Sequence, residues 1–169
     1  MDPQLQELLD KKACEEVLMR YSRTLDWLDD EGQASCYWPD ADIDYGFFDG
    51  KADEFVPTVM AVERTALRRW HMCGGLLIKI DGNRASSECY GFTVSAMQTE
   101  EGETIDHLFG GRYLDELEKR DDEWRLIKRR YILDFTYQLP HGLDNLEAAG
   151  LNLPVLQLQQ SGHPEYRAL

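Results

Sequence analysis

Residues 76–98, LLIKIDGNRASSECYGFTVSAMQ, predict a β-hairpin and decide the fold class. LLIKI is an apolar run of strand length, and the Asp-Gly-Asn sequence after it suits a tight turn because glycine adopts positive φ at little cost. Residues 84–98 then predict a long second strand. Tyr90, Phe92, Val94 and Ala96 share one face of this strand, and we expect the aromatic residues among them in the interior.

The segments on either side of the hairpin extend this prediction. Residues 104–118 and 124–135 predict two more strands of an antiparallel meander. The expected helices span 4–29, 33–38 and 52–69, and a short strand spans 41–48. Helices followed by a meander predict an α+β fold, in which a cone-shaped curved antiparallel sheet wraps around the N-terminal helices. A pocket between the sheet and the helices is the expected binding site.

The chain length and the tail composition predict the domain organisation. A length of 169 residues suits one domain. We expect residues 1–137 to form the barrel domain. Residues 138–169 combine proline and glycine with several leucines. We expect them to form a C-terminal arm that packs on the barrel or on a neighbouring subunit.

The charge of the chain excludes several classes of partner. The formal net charge is −14. This argues against nucleic acid, whose phosphates attract a basic face, and against anionic membrane surfaces. The N-terminus MDPQLQELLDKK is acidic and amphipathic, unlike a secretory or transit signal, and no apolar run is long enough to span a bilayer.

The cysteines indicate a reducing compartment. Cys14, Cys36, Cys73 and Cys89 are far apart and lack the CxxC spacing. We therefore expect free thiols and a cytoplasmic protein. The sequence also lacks a HisXXXHis motif, a GxGxxG after a strand, a P-loop and a GxSxG elbow. We expect neither a metal nor a cofactor.

A histidine just before the hairpin is the leading candidate for a base. His71 lies between a helical segment and an apolar strand, where it could also be a packing feature. The first helix ends in RYSRTLDWLDD, and helical geometry alone slightly favours Asp29 over Asp26 for the core side. Either carboxylate could be a solvated helix end. A carboxylate beside the imidazole would orient it and produce a general base.

Other polar side chains fall on faces that should be buried. Arg129 lies on an otherwise apolar strand face, where it is either half of a structural ion pair or a pocket residue. His107 and Tyr113 share a face with Phe109 on the preceding strand. They are either satisfied core groups or pocket-lining groups. Tyr45 follows Ile43 at strand spacing, and its hydroxyl needs a partner.

Six segments of the chain resemble a known family. In order they are YSRTLDWLD (21–29), PDADIDYGFF (39–48), ADEFV (52–56), HMCGG (71–75), GRYLDELEKRDDEW (111–124) and WRLIKRR (124–130). Their order and approximate spacing resemble the SnoaL-like branch of the nuclear transport factor two superfamily. Within this branch the pattern is similar to scytalone dehydratase, and also to the lindane dehydrochlorinase and bile-acid dehydratase relatives. The resemblance covers residues 8–135 and implies the cone-shaped barrel.

The resemblance implies roles for four residues by position. His71 matches the histidine that abstracts a proton, and Asp26 matches the aspartate that pairs with it. Tyr45 matches the tyrosine that helps to hold a water against the substrate carbonyl. Arg129 falls where the dehydrochlorinase and bile-acid relatives have an active-site arginine. The resemblance therefore favours Asp26, against the helical-geometry preference for Asp29.

Three further positions bear on the substrate. Tyr21 resembles the tyrosine of the bile-acid dehydratases. Scytalone dehydratase has a second histidine on the strand written here as SSECYGFTVSAM, which has none. His107 is one strand later and could reach the same space. Tyr113 falls where scytalone dehydratase has an asparagine, so scytalone is not the expected substrate.

Together these observations predict a cofactor-independent lyase of the dehydratase type. His71, oriented by Asp26, would remove a proton, while Tyr45, Tyr113 and Arg129 stabilise the developing oxyanion and water or another small group leaves. The substrate would be a small aromatic or polycyclic hydroxylated compound. The expected substrate-binding residues are Tyr21, Phe92, His107, Phe109, Tyr113 and Tyr131, with Tyr90 and Phe135 as further interior aromatics.

Other functions remain open at the level of sequence. The same groups could release formaldehyde from a lignin-type aromatic by retro-aldol cleavage, or act as a ketosteroid-isomerase-like isomerase. A non-catalytic ligand-binding module or an oxygenase small subunit would use the same fold. Contact between His71 and Asp26 inside a pocket would favour catalysis. The expected assembly is a homo-oligomer, for which the relatives imply a trimer, although a dimer is compatible.

Overall fold

The computed structural model describes residues 2–142, 149–151, 153, 156, 158–167 and 169. In this part of the chain there are three helices and six strands. In chain order they are α1 (Pro3–Asp26), α2 (Asp30–Ser35), β1 (Tyr37–Asp44), β2 (Asp49–Lys51), α3 (Ala52–Glu63), β3 (Arg68–Asp81), β4 (Arg84–Gln98), β5 (Thr104–Arg120) and β6 (Glu123–Pro140).

The sequence determines both ends of α1. The carboxylate of Asp2 caps the helix by accepting a hydrogen bond from the backbone N–H of Gln4 at 2.8 Å, and Pro3 occupies a first-turn position that needs no N–H. The helix ends at Asp26, earlier than periodicity predicts, and Leu28 then adopts a φ of 53°. This left-handed residue redirects the chain into α2.

All six strands form one sheet in the order β2-β1-β6-β5-β4-β3. Neighbouring strands are antiparallel except β1 and β6, which pair in parallel. The predicted hairpin is present, because Asp81 pairs with Arg84 across a turn in which Gly82 has a φ of 59°. The α+β fold with a curved sheet around N-terminal helices is therefore confirmed.

The curvature of the sheet coincides with irregularities in its strands. The register shifts between Gly74 and Leu77 in β3, and between Gly110 and Gly111 in β5. Such bulges bend a strand and increase its twist. Gly75 has a φ of 62°, which few residues with a side chain adopt. The glycine pairs thus allow the long strands to wrap around the helices.

The core lies between the concave face of the sheet and the helices. Along β4 the buried positions alternate, so Ala85, Ser87, Cys89 and Gly91 point inward. The same core contains, from the helices, Cys14, Val17, Leu18, Tyr21, Leu25, Phe55, Val59 and Met60. Burial of such apolar side chains contributes about 1.5–3 kcal/mol each to stability.

Several element boundaries differ from the prediction. The helix expected over 52–69 ends at Glu63, and β3 begins at Arg68, because cross-strand pairing of Arg68 with Ala96 overrides the helical pattern. The short helix expected over 33–38 is α2, shifted toward the N-terminus. β6 runs through Pro140, beyond the start expected for the arm.

The described part of the arm contacts α1. The ring of Trp27 contacts those of His163 and Tyr166, with centroids 5.6 and 5.8 Å away. The guanidinium of Arg23 lies 4.7 Å from the Tyr166 ring. Leu158 is buried in the core. The division into residues 1–137 and 138–169 stays a prediction.

All four cysteines are buried free thiols. Of the helices in the described ranges, none is both long and apolar enough to cross a bilayer.

Candidate active site

The structure brings His71 and Asp26 together. The Nδ1 of His71 lies 2.8 Å from the Oδ1 of Asp26, and the backbone N–H of His71 donates to the Oδ2 at 3.1 Å. The imidazole comes from β3 and the carboxylate from the last residue of α1. Two contacts to the same carboxylate fix both the ring and the strand that carries it.

The end of α1 explains why Asp26, and not Asp29, reaches the imidazole. Because the helix stops at Asp26, the helical geometry that favoured Asp29 does not extend to it. Asp29 instead caps α2 by accepting a hydrogen bond from the backbone N–H of Gly32 at 2.9 Å, and it also accepts one from the hydroxyl of Tyr166. The helical-geometry preference is therefore wrong.

The surroundings of His71 favour its protonated form. Burial alone would lower its pKa, since only 7% of the side chain is exposed. The hydrogen bond to Asp26 and the proximity of Glu63 outweigh burial and raise the pKa of His71 from 6.5 to about 9. The imidazole is therefore mainly an imidazolium at neutral pH.

Glu63 is a functional candidate that the sequence did not reveal. Its Oε1 lies 3.5 Å from the Nε2 of His71, so carboxylates face both ring nitrogens. Its Oε2 lies 3.6 Å from the Nε of Arg69. Arg69 and His71 share a face only because β3 begins at Arg68. The predicted helix over 52–69 concealed this relation.

Arg69 fixes the local backbone as well as facing Glu63. Its guanidinium is buried and donates to the carbonyl oxygens of Glu63 at 2.9 Å, Ala66 at 2.7 Å and Leu158 at 2.7 Å. These contacts join the end of α3 to a residue of the arm. Arg69 thereby holds Glu63 in front of His71.

A cavity of about 530 Å³ opens beside Glu63. Its wall includes Ser95 from β4, and His107 and Phe109 from β5. The rings of His107 and Phe109 are stacked, with centroids 6.3 Å apart. The structure thus brings two predicted substrate-binding residues into the same cavity as Glu63. A volume of this size suits a small organic ligand.

A cluster of tyrosines lies deeper along α1. The hydroxyls of Tyr21 and Tyr45 are 2.7 Å apart. Tyr131 stacks on Tyr45 with centroids 5.5 Å apart, and the rings of Tyr21 and Tyr113 meet edge to face at 5.6 Å. Tyr21 precedes Asp26 by five residues, which is about 7.5 Å along a helix axis. Five residues also correspond to about 140° around the helix, so Tyr21 and Asp26 project from different faces of α1. The tyrosine cluster is therefore separate from the wall of the cavity beside Glu63.

Arg129 occupies the centre of this cluster. It forms a fully buried two-point ion pair with Asp115, with both N–O distances at 2.8 Å. Its guanidinium lies 4.1 Å from the centroid of Tyr21 and 4.3 Å from that of Tyr113. The structural ion pair considered in the sequence is thus present. Burial raises the pKa of Tyr45 to about 12, although the positive charge of Arg129 opposes this.

The interior placement predicted for Phe92 is wrong. Met72 pairs with Phe92 across β3 and β4, whereas His71 pairs with Thr93, so Phe92 lies on the opposite face of the sheet from the imidazole. Its ring meets Trp70 edge to face at 6.4 Å. The alternation along β4 was assigned one residue out of phase, which exchanges the two faces.

The interior placement predicted for Tyr90 and Phe135 is wrong for the same reason. They are 56% and 45% exposed, and Phe135 pairs with Gly110 next to Phe92 on the outer face.

Among the described residues, no group of three or more His, Cys, Asp or Glu side chains could hold a metal ion.

Comparisons with known proteins agree with this architecture. A family model described as a SnoaL-like domain matches residues 6–130. An uncharacterized protein of Mycobacterium tuberculosis (strain ATCC 25618 / H37Rv) is 30% identical over 129 residues, covering 73% of this chain and 84% of the relative.

Solved structures with low identity share the fold. A scytalone dehydratase-like protein from Novosphingobium aromaticivorans aligns with a TM-score of 0.70 and 20% identity, over 80% of this chain and 95% of that one. A type 3 hexachlorocyclohexane dehydrochlorinase from Novosphingobium barchaimii aligns with a TM-score of 0.71 and 18% identity, over 80% and 94% of the two chains.

Proposed function

The chain belongs to the SnoaL-like domain family, and from this premise we propose that it is a cofactor-independent lyase. The substrate is a small aromatic or polycyclic compound with a hydroxyl group beside an acidic carbon. The reaction is an elimination of the dehydratase type. The dehydratase and dehydrochlorinase names of two solved structures with the same fold support this reaction class.

The observation that carries the proposal is the contact between His71 and Asp26. A carboxylate that binds Nδ1 leaves Nε2 as the ring atom for proton transfer. The pair is largely shielded from water, which strengthens its electrostatic interactions. A positioned acid–base group contributes about 10²–10⁴-fold to a rate.

The tyrosine cluster would stabilise the oxyanion of the reaction. The buried hydroxyls of Tyr21, Tyr45 and Tyr113 stay protonated at neutral pH because burial raises their pKa. One hydroxyl of the Tyr21–Tyr45 pair donates to the other, so the second hydroxyl of the pair and that of Tyr113 are the donors left for negative charge on a substrate oxygen. Arg129 packs against the rings of Tyr21 and Tyr113, and its ion pair with Asp115 holds its guanidinium in that position. A preorganised donor is worth about 10²–10³-fold.

The cavity supports a flat substrate. Phe109 and His107 provide stacked rings in its wall, and its volume of about 530 Å³ accommodates one or two fused rings.

The proposal is tested with a panel of hydroxylated aromatic ketones and lignin-type diols. Wild type should release water or a small fragment from at least one compound, and His71→Gln and Asp26→Asn should not. Asp29→Asn and His163→Gln are matched controls, because neither side chain contacts the imidazole, and both should keep wild-type rates. If wild type converts none of the compounds, or His71→Gln converts them equally well, the lyase assignment fails.

We also propose that the protein is a cytoplasmic homo-oligomer, with a trimer favoured. The convex face of the sheet carries exposed aromatic residues, with Trp70 and Tyr137 exposed by 49% and 60%, beside the ion pairs of Arg112 with Glu88 and Asp134. Apolar patches of this kind are uncommon on monomers. The acidic surface charge and the free thiols suit the cytoplasm.

A further inference from the structure

The resting state of His71 is poorly suited to removing a proton. A base needs a free lone pair, yet carboxylates face both nitrogens of the ring. These carboxylates raise the pKa of His71 to about 9, so the ring is mainly charged at pH 7. The imidazolium is in contrast a ready proton donor. A second group must therefore accept the substrate proton if the site is to work efficiently at neutral pH.

Glu63 has the position that such a group requires. It is part of the cavity wall, which His71 is not, and 12% of its side chain is exposed against 7% for His71. Its contacts to Nε2 and to Arg69 are 3.5 and 3.6 Å, longer than the 2.8 Å bond between His71 and Asp26. Carboxylate lone pairs thus remain available to a substrate.

The location of Glu63 at the C-terminal end of a helix is unfavourable for a carboxylate. It is the last residue of α3, and the final turn of that helix contains no basic residue. A carboxylate at the C-terminal end of a helix is repelled by the partial negative charge there. Arg69 and protonated His71 offset this repulsion, together with Arg64, which donates to the carbonyl oxygen of Met60 in the last turn of α3.

We propose that Glu63 is the catalytic base of this site and that protonated His71 is its acid, with Asp26 positioning the imidazolium. This inference rests on the proposed elimination. Glu63 takes the proton from the carbon next to the activating group. The C–H electron pair forms the new double bond, and the carbon–oxygen bond breaks. Nε2 of His71 gives its proton to the departing hydroxyl, which leaves as water.

The cycle closes within the site. The carboxylic acid of Glu63 returns its proton to the neutral Nε2, across the 3.5 Å that separates them. The net change is loss of water from the substrate, with no oxidant or reductant. Because acid and base are adjacent, the proton and the hydroxyl leave from the same face of the substrate.

Among the described residues, few other charged groups face Glu63 and His71. α1 contributes Asp26 and β3 contributes Arg69, while α3 contributes Glu63 itself. In the cavity wall, β4 contributes the neutral Ser95 and β5 contributes His107. The proposed proton transfers therefore depend on a compact set of groups.

The test compares kcat/KM against pH for wild type, Glu63→Gln, Glu63→Asp and Glu54→Gln. It uses a hydroxylated aromatic ketone that wild type converts. Glu63→Gln should lose about 10²–10⁴-fold at every pH. Glu63→Asp should retain part of the activity. Glu54→Gln, on the exposed face of the same helix, should behave as wild type.

A mechanism in which His71 is the base predicts the opposite result for the activity of Glu63→Gln. If His71 alone is the base, removal of the Glu63 charge lowers the pKa of the imidazole. Glu63→Gln would then be as active as wild type or more active at pH 7, with its acid limb moved to lower pH, and the proposal would be overturned. Absence of turnover by wild type on every compound would instead overturn the proposed function, and the role of Glu63 with it.

Discussion

At His71 a single side chain joins three elements, because β3 carries the ring, α1 supplies Asp26 and α3 supplies Glu63. The raised pKa has a consequence for stability that is separate from catalysis. A group whose pKa is higher in the folded state stabilises the protein fully below its unfolded pKa. That contribution is lost as the pH rises through the folded pKa.

We therefore predict a pH-dependent difference in unfolding free energy between wild type and His71→Gln. Wild type should be more stable by up to roughly 3 kcal/mol near pH 6, and the advantage should disappear between about pH 6.5 and 9. Urea unfolding of both proteins across this range measures it. A difference in unfolding free energy that stays constant with pH would contradict the stabilisation of protonated His71 by Asp26 and Glu63.

Sequence reasoning identified His71 and Asp26 but missed Glu63 and Arg69. The resemblance supplied the aspartate, while helical geometry alone preferred Asp29. Glu63 and Arg69 could not be predicted because both fell within one expected helix, where they were not expected to face the imidazole. Only the strand start at Arg68 brings Arg69 and His71 to the same face.

At the level of elements, the curved sheet depends on glycines at points of close approach. An added Cβ at Gly111 would collide with the carbonyl oxygen of Ile132 and with the hydroxyl of Tyr131 at 2.7 Å. The backbone oxygen cannot move away without disturbing the pairing of β5 and β6. At Gly74 in β3, nothing lies within 4 Å of the added atom.

Gly111→Ala should therefore destabilise the protein by about 1–3 kcal/mol, as overpacking does. Gly74→Ala is the matched control and should change stability by less than about 0.5 kcal/mol. Thermal and urea unfolding of the two variants measure the contrast. Equal stability of both variants would show that the sheet does not need a glycine at position 111.

The element types were largely predictable, since periodicity identified α1, the hairpin and the long strands. The family predicted from six segments is confirmed. Strand phase was less reliable, because β4 alternates apolar and small residues on both faces. Phe92 and Cys89 are each compatible with burial, and only the pairing with β3 decides between them.

At the scale of the whole molecule, the outer face of the sheet explains where the misassigned aromatics lie. Trp70, Phe92, Phe135 and Tyr137 cover the convex side, away from the imidazole. Their apolar character alone predicts burial, and the oligomer that we propose would bury them against a second copy. One chain alone cannot reveal that partner.

We predict that Trp70→Glu with Phe135→Glu converts the oligomer to a monomer. Light scattering should give a multiple of the chain mass of 19.6 kDa for wild type and 19.6 kDa for the variant. Leu8→Glu, an equally drastic change on the exposed side of α1, should leave the assembly unchanged. A monomeric wild type would contradict the proposed oligomer.

The central claim is that the imidazole held by Asp26 transfers the proton in an elimination reaction. The most direct test is the ratio of kcat/KM for wild type and His71→Gln on the best compound of the panel, at pH 7. We predict a ratio of about 10²–10⁴. A ratio near one, with both proteins folded, would contradict the claim.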